Sequence, residues 1–141
     1  MYAFAYERPA ALADAVAKIS AGGQALAGGQ TLIASLKQRL AQPNSLVDLA
    51  AVSELSGIKK EGNTLVIGAM TRHEFVADSA EVKASIPGLA DLAGNIGDRQ
   101  VRAMGTMGGS VANNDPAACY PSAVLALGAT CLLYTSPSPR D

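Results

Sequence analysis

Two glycine-centred segments carry the residues best suited to chemistry. The first is Ala27-Gly28-Gly29-Gln30-Thr31, read as the turn between a short strand and a helix. Paired glycines let a backbone approach a ligand closely, and the first turn of a helix leaves N–H groups free. Such amides suit a phosphate. The segment is neither GxGxxG nor a P-loop, since it lacks the lysine. On the residues alone it is equally a tight structural turn. The second segment is Gly105-Thr106-Met107-Gly108-Gly109-Ser110-Val111-Ala112-Asn113-Asn114-Asp115-Pro116. Its glycines permit close approach, while Thr106, Ser110, Asn113 and Asp115 can hydrogen-bond a polyol chain or a diphosphate. A loop using Ser and Asn for local turns would read the same way. Two such segments in one short chain favour a dinucleotide over either alone.

Other chemistry is poorly supplied. The chain has one histidine and two cysteines, Cys119 and Cys131, with no CxxC spacing. A zinc or iron–sulfur site built by this chain alone is not expected, and no metal ligand is assigned. His73 has no partner for a familiar catalytic constellation and reads as an exposed residue starting a helix. Eleven basic residues face twelve acidic ones, a net charge of −1, without the basic excess of a nucleic-acid binder. No apolar run approaches the roughly 18–20 residues that span a bilayer, so no membrane span is expected. The N-terminus lacks the basic and apolar regions of a signal peptide, and a cytoplasmic location is the default. Hydrophobic residues make up 49% of the 141, enough for a packed core.

The elements that must position the two segments follow from pattern. Residues 4–6 read as a strand. Pro9 suits the first turn of a helix whose apolar positions are Leu12, Ala15, Val16 and Ile19. Gly22-Gly23 ends that helix, and 24–27 is a second strand. A second helix starts near Gln30, with Leu32, Ile33, Leu36 and Leu40 on its apolar face. A third strand covers 46–49. This alternation predicts a small parallel or mixed layer. The pattern changes after a boundary at 50–56. Two apolar runs, 58–60 and 65–67, flank Glu61-Gly62-Asn63 as a hairpin. Thr71 with Glu74 has the spacing of a capping box. Helices are expected over 87–96 and 121–127, with a glycine-dense loop over 97–114 between them.

At this point a resemblance becomes specific. AGGQTLI (27–33), IGAMT (67–71) and IGDRQVRAMGTMGGSVANNDPAACYPSAVLALGA (96–129), in that order, resemble the FAD-binding medium subunit of the molybdenum hydroxylases. Carbon monoxide dehydrogenase medium subunits and the flavin domain of xanthine dehydrogenase belong to that family. The resemblance covers Tyr2 to about Thr130. It implies an α+β, two-subdomain FAD-binding fold of the PCMH (vanillyl-alcohol oxidase-like) type, not a doubly wound Rossmann sheet. The first subdomain would be 1–55 and the second, incomplete, 56–130, with the C-terminal domain missing.

The resemblance also implies a role. An iron–sulfur small subunit and a molybdopterin large subunit would complete a heterotrimeric complex, which can itself dimerise. Electrons from the molybdenum site would pass through [2Fe–2S] clusters of the small subunit to FAD and on to an acceptor. Ala27, Gly28, Gly29, Gln30 and Thr31 would wrap the FAD diphosphate through backbone amides. Thr106, Met107, Gly108, Gly109 and Ser110 would contact it from the second subdomain, with Asn113 and Asp115 on the flavin side. No residue of the chain would be catalytic, because the redox chemistry is the flavin's. Many members carry Asp or Asn where Cys119 stands. A thiol is a weak donor and acceptor, so Cys119 is expected to be a buried small residue instead. Members of the family also continue well past this chain's last residue. The chain therefore reads as a C-terminal truncation, inactive by itself. Residues 131–141, CLLYTSPSPRD, resemble translated adapter sequence and are expected to be a non-native tail without function. Two other readings of the residues stand beside this one: a non-catalytic α/β interaction module with structural glycines, and an independent nucleotide-phosphate binder.

Overall fold

The computed structural model describes residues 1–132; the rest of the expected non-native tail, 133–141, lies outside the described residues. The first part of the chain forms β1 (Ala5–Glu7), α1 (Leu12–Ser20), β2 (Gln24–Leu26), α2 (Leu32–Lys37) and β3 (Ser45–Asp48). All three strands are parallel, in the order β1-β3-β2. Side chains alternate across a strand, and β3 uses both faces. Val47 packs with Ala15 of α1 and with Val52, while Leu46 packs with Leu26 and with Leu36 of α2. One helix therefore covers each face of the sheet, as the strand–helix alternation predicts. Burying Val47 or Leu36 this completely contributes about 2 kcal/mol each.

Helix ends set the path of the chain. After α1, Gly22 takes φ +105°. Its N–H donates to the Ile19 carbonyl at 3.0 Å and that of Gly23 to the Lys18 carbonyl at 3.1 Å. This is a Schellman end, which favours glycine at the left-handed position. Gly23 meets a different demand: a Cβ there would lie 2.7 Å from Val47 Cγ2. Helix α2 closes in the same way but with Arg39 at φ +58°. That closure stops α2 at Lys37, so Leu40 falls outside the helix and is 76% exposed, not on its apolar face. Pro9 also differs from expectation. Helix α1 starts at Leu12 with Ala11 as its cap, and Pro9 is buried in the preceding turn.

A single 3-10 turn, Ser53–Leu55, leads into β4 (Ile58–Glu61) and β5 (Thr64–Ile67), an antiparallel hairpin closed by Gly62 and Asn63. Six helices follow: α3 (His73–Asp78), α4 (Ala80–Ser85), α5 (Pro87–Gly94), α6 (Arg99–Met104), α7 (Met107–Asn113) and α8 (Cys119–Ala126). Their core is Val76, Val82, Leu89, Ala90, Ala93 and Tyr120, with Ile58, Leu65 and Ile67 of the hairpin against it. The stretch 97–114, expected as a loop, holds two helices. Capping overrides its glycine content. Asp98 Oδ1 accepts from the Val101 N–H at 2.9 Å, and Thr106 Oγ1 accepts from the Gly109 N–H at 3.1 Å. Thr71 does not form the expected capping box. Its buried hydroxyl instead accepts from the Gly57 N–H at 3.0 Å and donates to the Gly57 carbonyl at 3.1 Å, leaving Arg72 as the cap of α3. Among the described residues, no helix is long and apolar enough to cross a membrane.

Candidate functional site

The two glycine segments, about 75 positions apart in the chain, meet in space. A Cβ on Gly28 would lie 2.2 Å from the Met104 carbonyl oxygen and 2.8 Å from Gly105 Cα. A Cβ on Gly109 would stand 3.5 Å from Ala27 Cβ. The strand-to-helix turn after β2 thus rests directly on the joint between α6 and α7.

The backbone amides of the two segments are used differently. In the second, the Met107 N–H donates to the Thr71 carbonyl at 3.0 Å and the Gly108 N–H to the Ala69 carbonyl at 2.8 Å. The Gly109 amide is taken by Thr106 Oγ1, and that of Ser110 by the Thr106 carbonyl at 3.1 Å. An isolated bridge between Arg72 and Thr106 completes this seam. Every amide in the first turn of α7 is therefore committed inside the protein. In the first segment, the amides of Gly28, Gly29, Gln30 and Thr31 have no hydrogen-bond acceptor among the described residues. The segment's carbonyls do take part, as Gly29 accepts from the Ile33 N–H at 3.0 Å. Gly29 has φ +74°, a left-handed turn that favours glycine.

Exposure separates the expected residues further. Ala27, Gly28 and Gly29 are half-buried, whereas Gln30 and Thr31 are exposed. Met107, Gly108, Gly109 and Ser110 are half-buried, and Thr106 is buried behind them. Asn113 lies four residues after Gly109 on α7, a spacing that shares a helix face. Asp115 sits beyond the end of α7, where its Oδ1 accepts from the Ala117 N–H at 2.8 Å. The structure therefore joins 27–29 to 104–109 and leaves Asp115 engaged in its own turn. Cys119 is exposed, not the buried small residue expected. It opens α8, and Tyr120 beside it takes the buried position.

Sequence reasoning missed three participants. Ala69 and Thr71 supply the carbonyls that seat α7, and His73 lies under Gly105. His73 starts a helix as expected but is only 4% exposed. Its N–H donates to the Gly105 carbonyl at 3.0 Å, and its ring lies 5.1 Å from that of Tyr120. Burial holds its imidazole below the ordinary value of 6.5. The IGAMT motif was the available signal: it holds Ala69 and Thr71, and His73 follows two residues after it. A cavity of about 480 Å³ opens elsewhere, lined by Ser56, Gly57, Ile58, Met70, Thr71, Arg72 and Phe75. None of the expected site residues lines it. No group of three or more metal-ligating side chains occurs among the described residues.

Residues 2–140 match the family described as FAD binding domain in molybdopterin dehydrogenase. The chain belongs to that family. The carbon monoxide dehydrogenase medium chain of Afipia carboxidovorans is 43% identical over 129 residues, 89% of this chain and 45% of the relative. The glyceraldehyde dehydrogenase medium chain of Sulfolobus acidocaldarius is 37% identical over 140 residues, 98% of this chain and 50% of the relative. Carbon monoxide dehydrogenase from Hydrogenophaga pseudoflava superposes with a TM-score of 0.86 at 41% identity, covering 89% of this chain and 45% of that one. This family member thus has the two-part α+β FAD-binding fold that the resemblance implies. It spans about half the length of the relatives it matches.

Proposed function

We propose that the chain binds FAD as the flavin component of a molybdenum hydroxylase, with the diphosphate seated on Ala27–Thr31. The observation that carries this is the set of unengaged amides at Gly28, Gly29, Gln30 and Thr31, held against a second glycine surface. Backbone N–H groups gathered in one short turn without internal acceptors are what a diphosphate requires. The cradle also fits in shape: side chains at Gly28 or Gly109 would fill space that the two segments now share. The division of work follows from the amides. The first segment donates. Thr106–Ser110, whose amides are spent, presents a close glycine surface and the Ser110 hydroxyl, with Asn113 and Asp115 beyond. Residues 1–55 and 56–130 form the two halves that embrace the cofactor, and 131–141 takes no part.

When bound, FAD supplies the redox chemistry. The chain's own residues bind and orient it. Electrons reach this subunit from the [2Fe–2S] clusters of an iron–sulfur partner, fed by a molybdopterin subunit, and leave to an acceptor. This assembly works in the cytoplasm.

Titrating the purified chain with FAD, read by quenching of flavin fluorescence, tests the reading. Saturable binding is expected, while a colourless nucleotide retained in preference to FAD, or no ligand at all, would overturn it. Gly29→Val should weaken FAD binding about tenfold or more, because a β-branched residue at φ +74° must move the turn. Unchanged affinity in that variant would remove the diphosphate from this segment.

A further inference from the structure

Two buried polar atoms among the described residues have no hydrogen-bond partner, His73 Nδ1 and the Tyr120 hydroxyl. They belong to rings that pack on each other at 5.1 Å and an interplanar angle of 47°. On its other side His73 fills the space left by the missing side chain of Gly105. A Cβ on Gly105 would lie 2.6 Å from His73 Nε2 and 2.8 Å from Cδ2. The backbone repeats the contact, since the His73 N–H donates to the Gly105 carbonyl. His73 is thus wedged between Tyr120 of α8 and the glycine that begins the second segment.

A neutral imidazole has one N–H, but the imidazolium has two, and both need acceptors. Nδ1 has none among the described residues. A proton there would be a buried charge with an unanswered N–H, which the wedge can relieve only by opening. The charged and titratable groups around it do not change this. They are Arg72 before α3, Glu74 and Asp78 on α3, Glu81 and Lys83 on α4 and Asp91 on α5. Asp98 caps α6, Arg99 and Arg102 lie on it, Cys119 and Tyr120 lie on α8, and α7 carries no such group. Arg102 is turned to the Ile96 and Gly97 carbonyls, both at 3.1 Å. None of these acts on His73, for which burial is the one cause of its shift.

We propose that His73 is a positioning residue that holds Gly105–Gly109 in place for the flavin site only while its imidazole is uncharged. The flavin part rests on the function proposed above. The sign follows from the proton count. The unfolded chain takes a proton near 6.5, the folded chain only at lower pH. Stability from this group is therefore complete above 6.5 and is lost as pH falls below it.

The whole chain has a single histidine, so one imidazole NMR resonance reports on it without assignment. That resonance would be followed from about pH 8 to about pH 5. Amide-exchange protection of residues 105–110 and FAD affinity would be measured over the same range, in the wild type and in His73→Gln. In the wild type the imidazole is expected to take its proton below 6.5. Protection should fall about tenfold per pH unit beneath that value, and FAD affinity should fall once the folded imidazole itself takes its proton. His73→Gln, uncharged throughout, should lose both dependences. A wild-type imidazole that titrates at 6.5 or above, or protection that stays flat, would overturn the proposal. Should His73→Gln fail to fold, Tyr120→Phe decides: it keeps the packed rings, and the pH dependence should persist. Its disappearance there would assign the effect to the hydroxyl and defeat the role of His73. If protection falls as stated but FAD binds at no pH, the positioning role stands and the flavin reading fails. If FAD affinity stays flat even below the pH at which the imidazole takes its proton, His73 does not position the site.

Discussion

At the scale of single residues, the site is defined by where a side chain would collide and with what. Gly28 faces a backbone carbonyl 2.2 Å from its missing Cβ, and that carbonyl belongs to the last residue of α6. Backbone in a helix cannot step aside, so Gly28→Ala should cost about 3 kcal/mol. Gly109 faces the Thr106 hydroxyl at 2.8 Å, the movable end of a side chain. Gly109→Ala should therefore cost less, about 1 kcal/mol, chiefly through the displaced cap. Urea unfolding of the two variants measures the order. Equal losses would mean that the two segments do not press on each other as described. Arg39 offers the opposite experiment. A non-glycine residue in the left-handed region costs about 1–2 kcal/mol, and the Arg39 guanidinium recovers part by lying 5.3 Å over the Tyr2 ring. That contact is worth about 0.5–1 kcal/mol at an exposed site. The strain is the larger of the two, so Arg39→Gly should stabilise by roughly 0.5–1 kcal/mol.

At the scale of elements, helix α7 shows how a glycine-rich stretch becomes ordered. Met107-Gly108-Gly109 has poor helix propensity, since each glycine costs about 1 kcal/mol relative to alanine. Four anchored amides, one of them held by the Thr106 cap, offset that cost. Thr106→Val keeps the shape and removes the acceptor. It should lose about 1–2 kcal/mol of stability, and Thr106→Ser should restore most of it. Thermal unfolding of the pair distinguishes the cap from mere packing, because only the serine rescues a cap. The same element explains why 97–114 was legible as glycine-rich but not as helical. Propensity is a local quantity, whereas the acceptors that seat α7 come from Ala69 and Thr71, far earlier in the chain. Thr71 illustrates the converse. Its spacing to Glu74 fits a capping box, but Gly57 offers the hydroxyl both an acceptor and a donor, and a buried hydroxyl takes the site that satisfies it twice.

At the scale of the molecule, the order of elements was readable where hydrophobic period and punctuation agree. The first three strands and the hairpin fall within a residue of their expected bounds, while α1 starts and α2 stops about three residues inside theirs. Both glycine segments were legible as a pair, and the family follows from their residues. Their contact was not, because no local pattern encodes which loop meets which. Nor was the burial of His73, since a polar residue at a helix start reads as solvated unless the glycine that accommodates it is known. If FAD binds only the folded chain, saturation at about 100 times Kd should add roughly 2.7 kcal/mol. A melting curve with and without FAD checks this. An unshifted midpoint under saturating ligand would mean that unfolded and folded chains bind alike, which a preformed cradle forbids.

The central place of β3 has a consequence for the order of events during synthesis. Among the described residues both edge strands, β1 and β2, pair only with β3, yet β3 leaves the ribosome last of the three. Until Ser45–Asp48 emerges, neither earlier strand has a neighbour, and Ala15 and Leu36 have no sheet to cover. Nothing in the first forty or so residues can settle piecemeal. The nascent segment stays a loose helix-forming chain until one four-residue strand arrives and closes both ladders together.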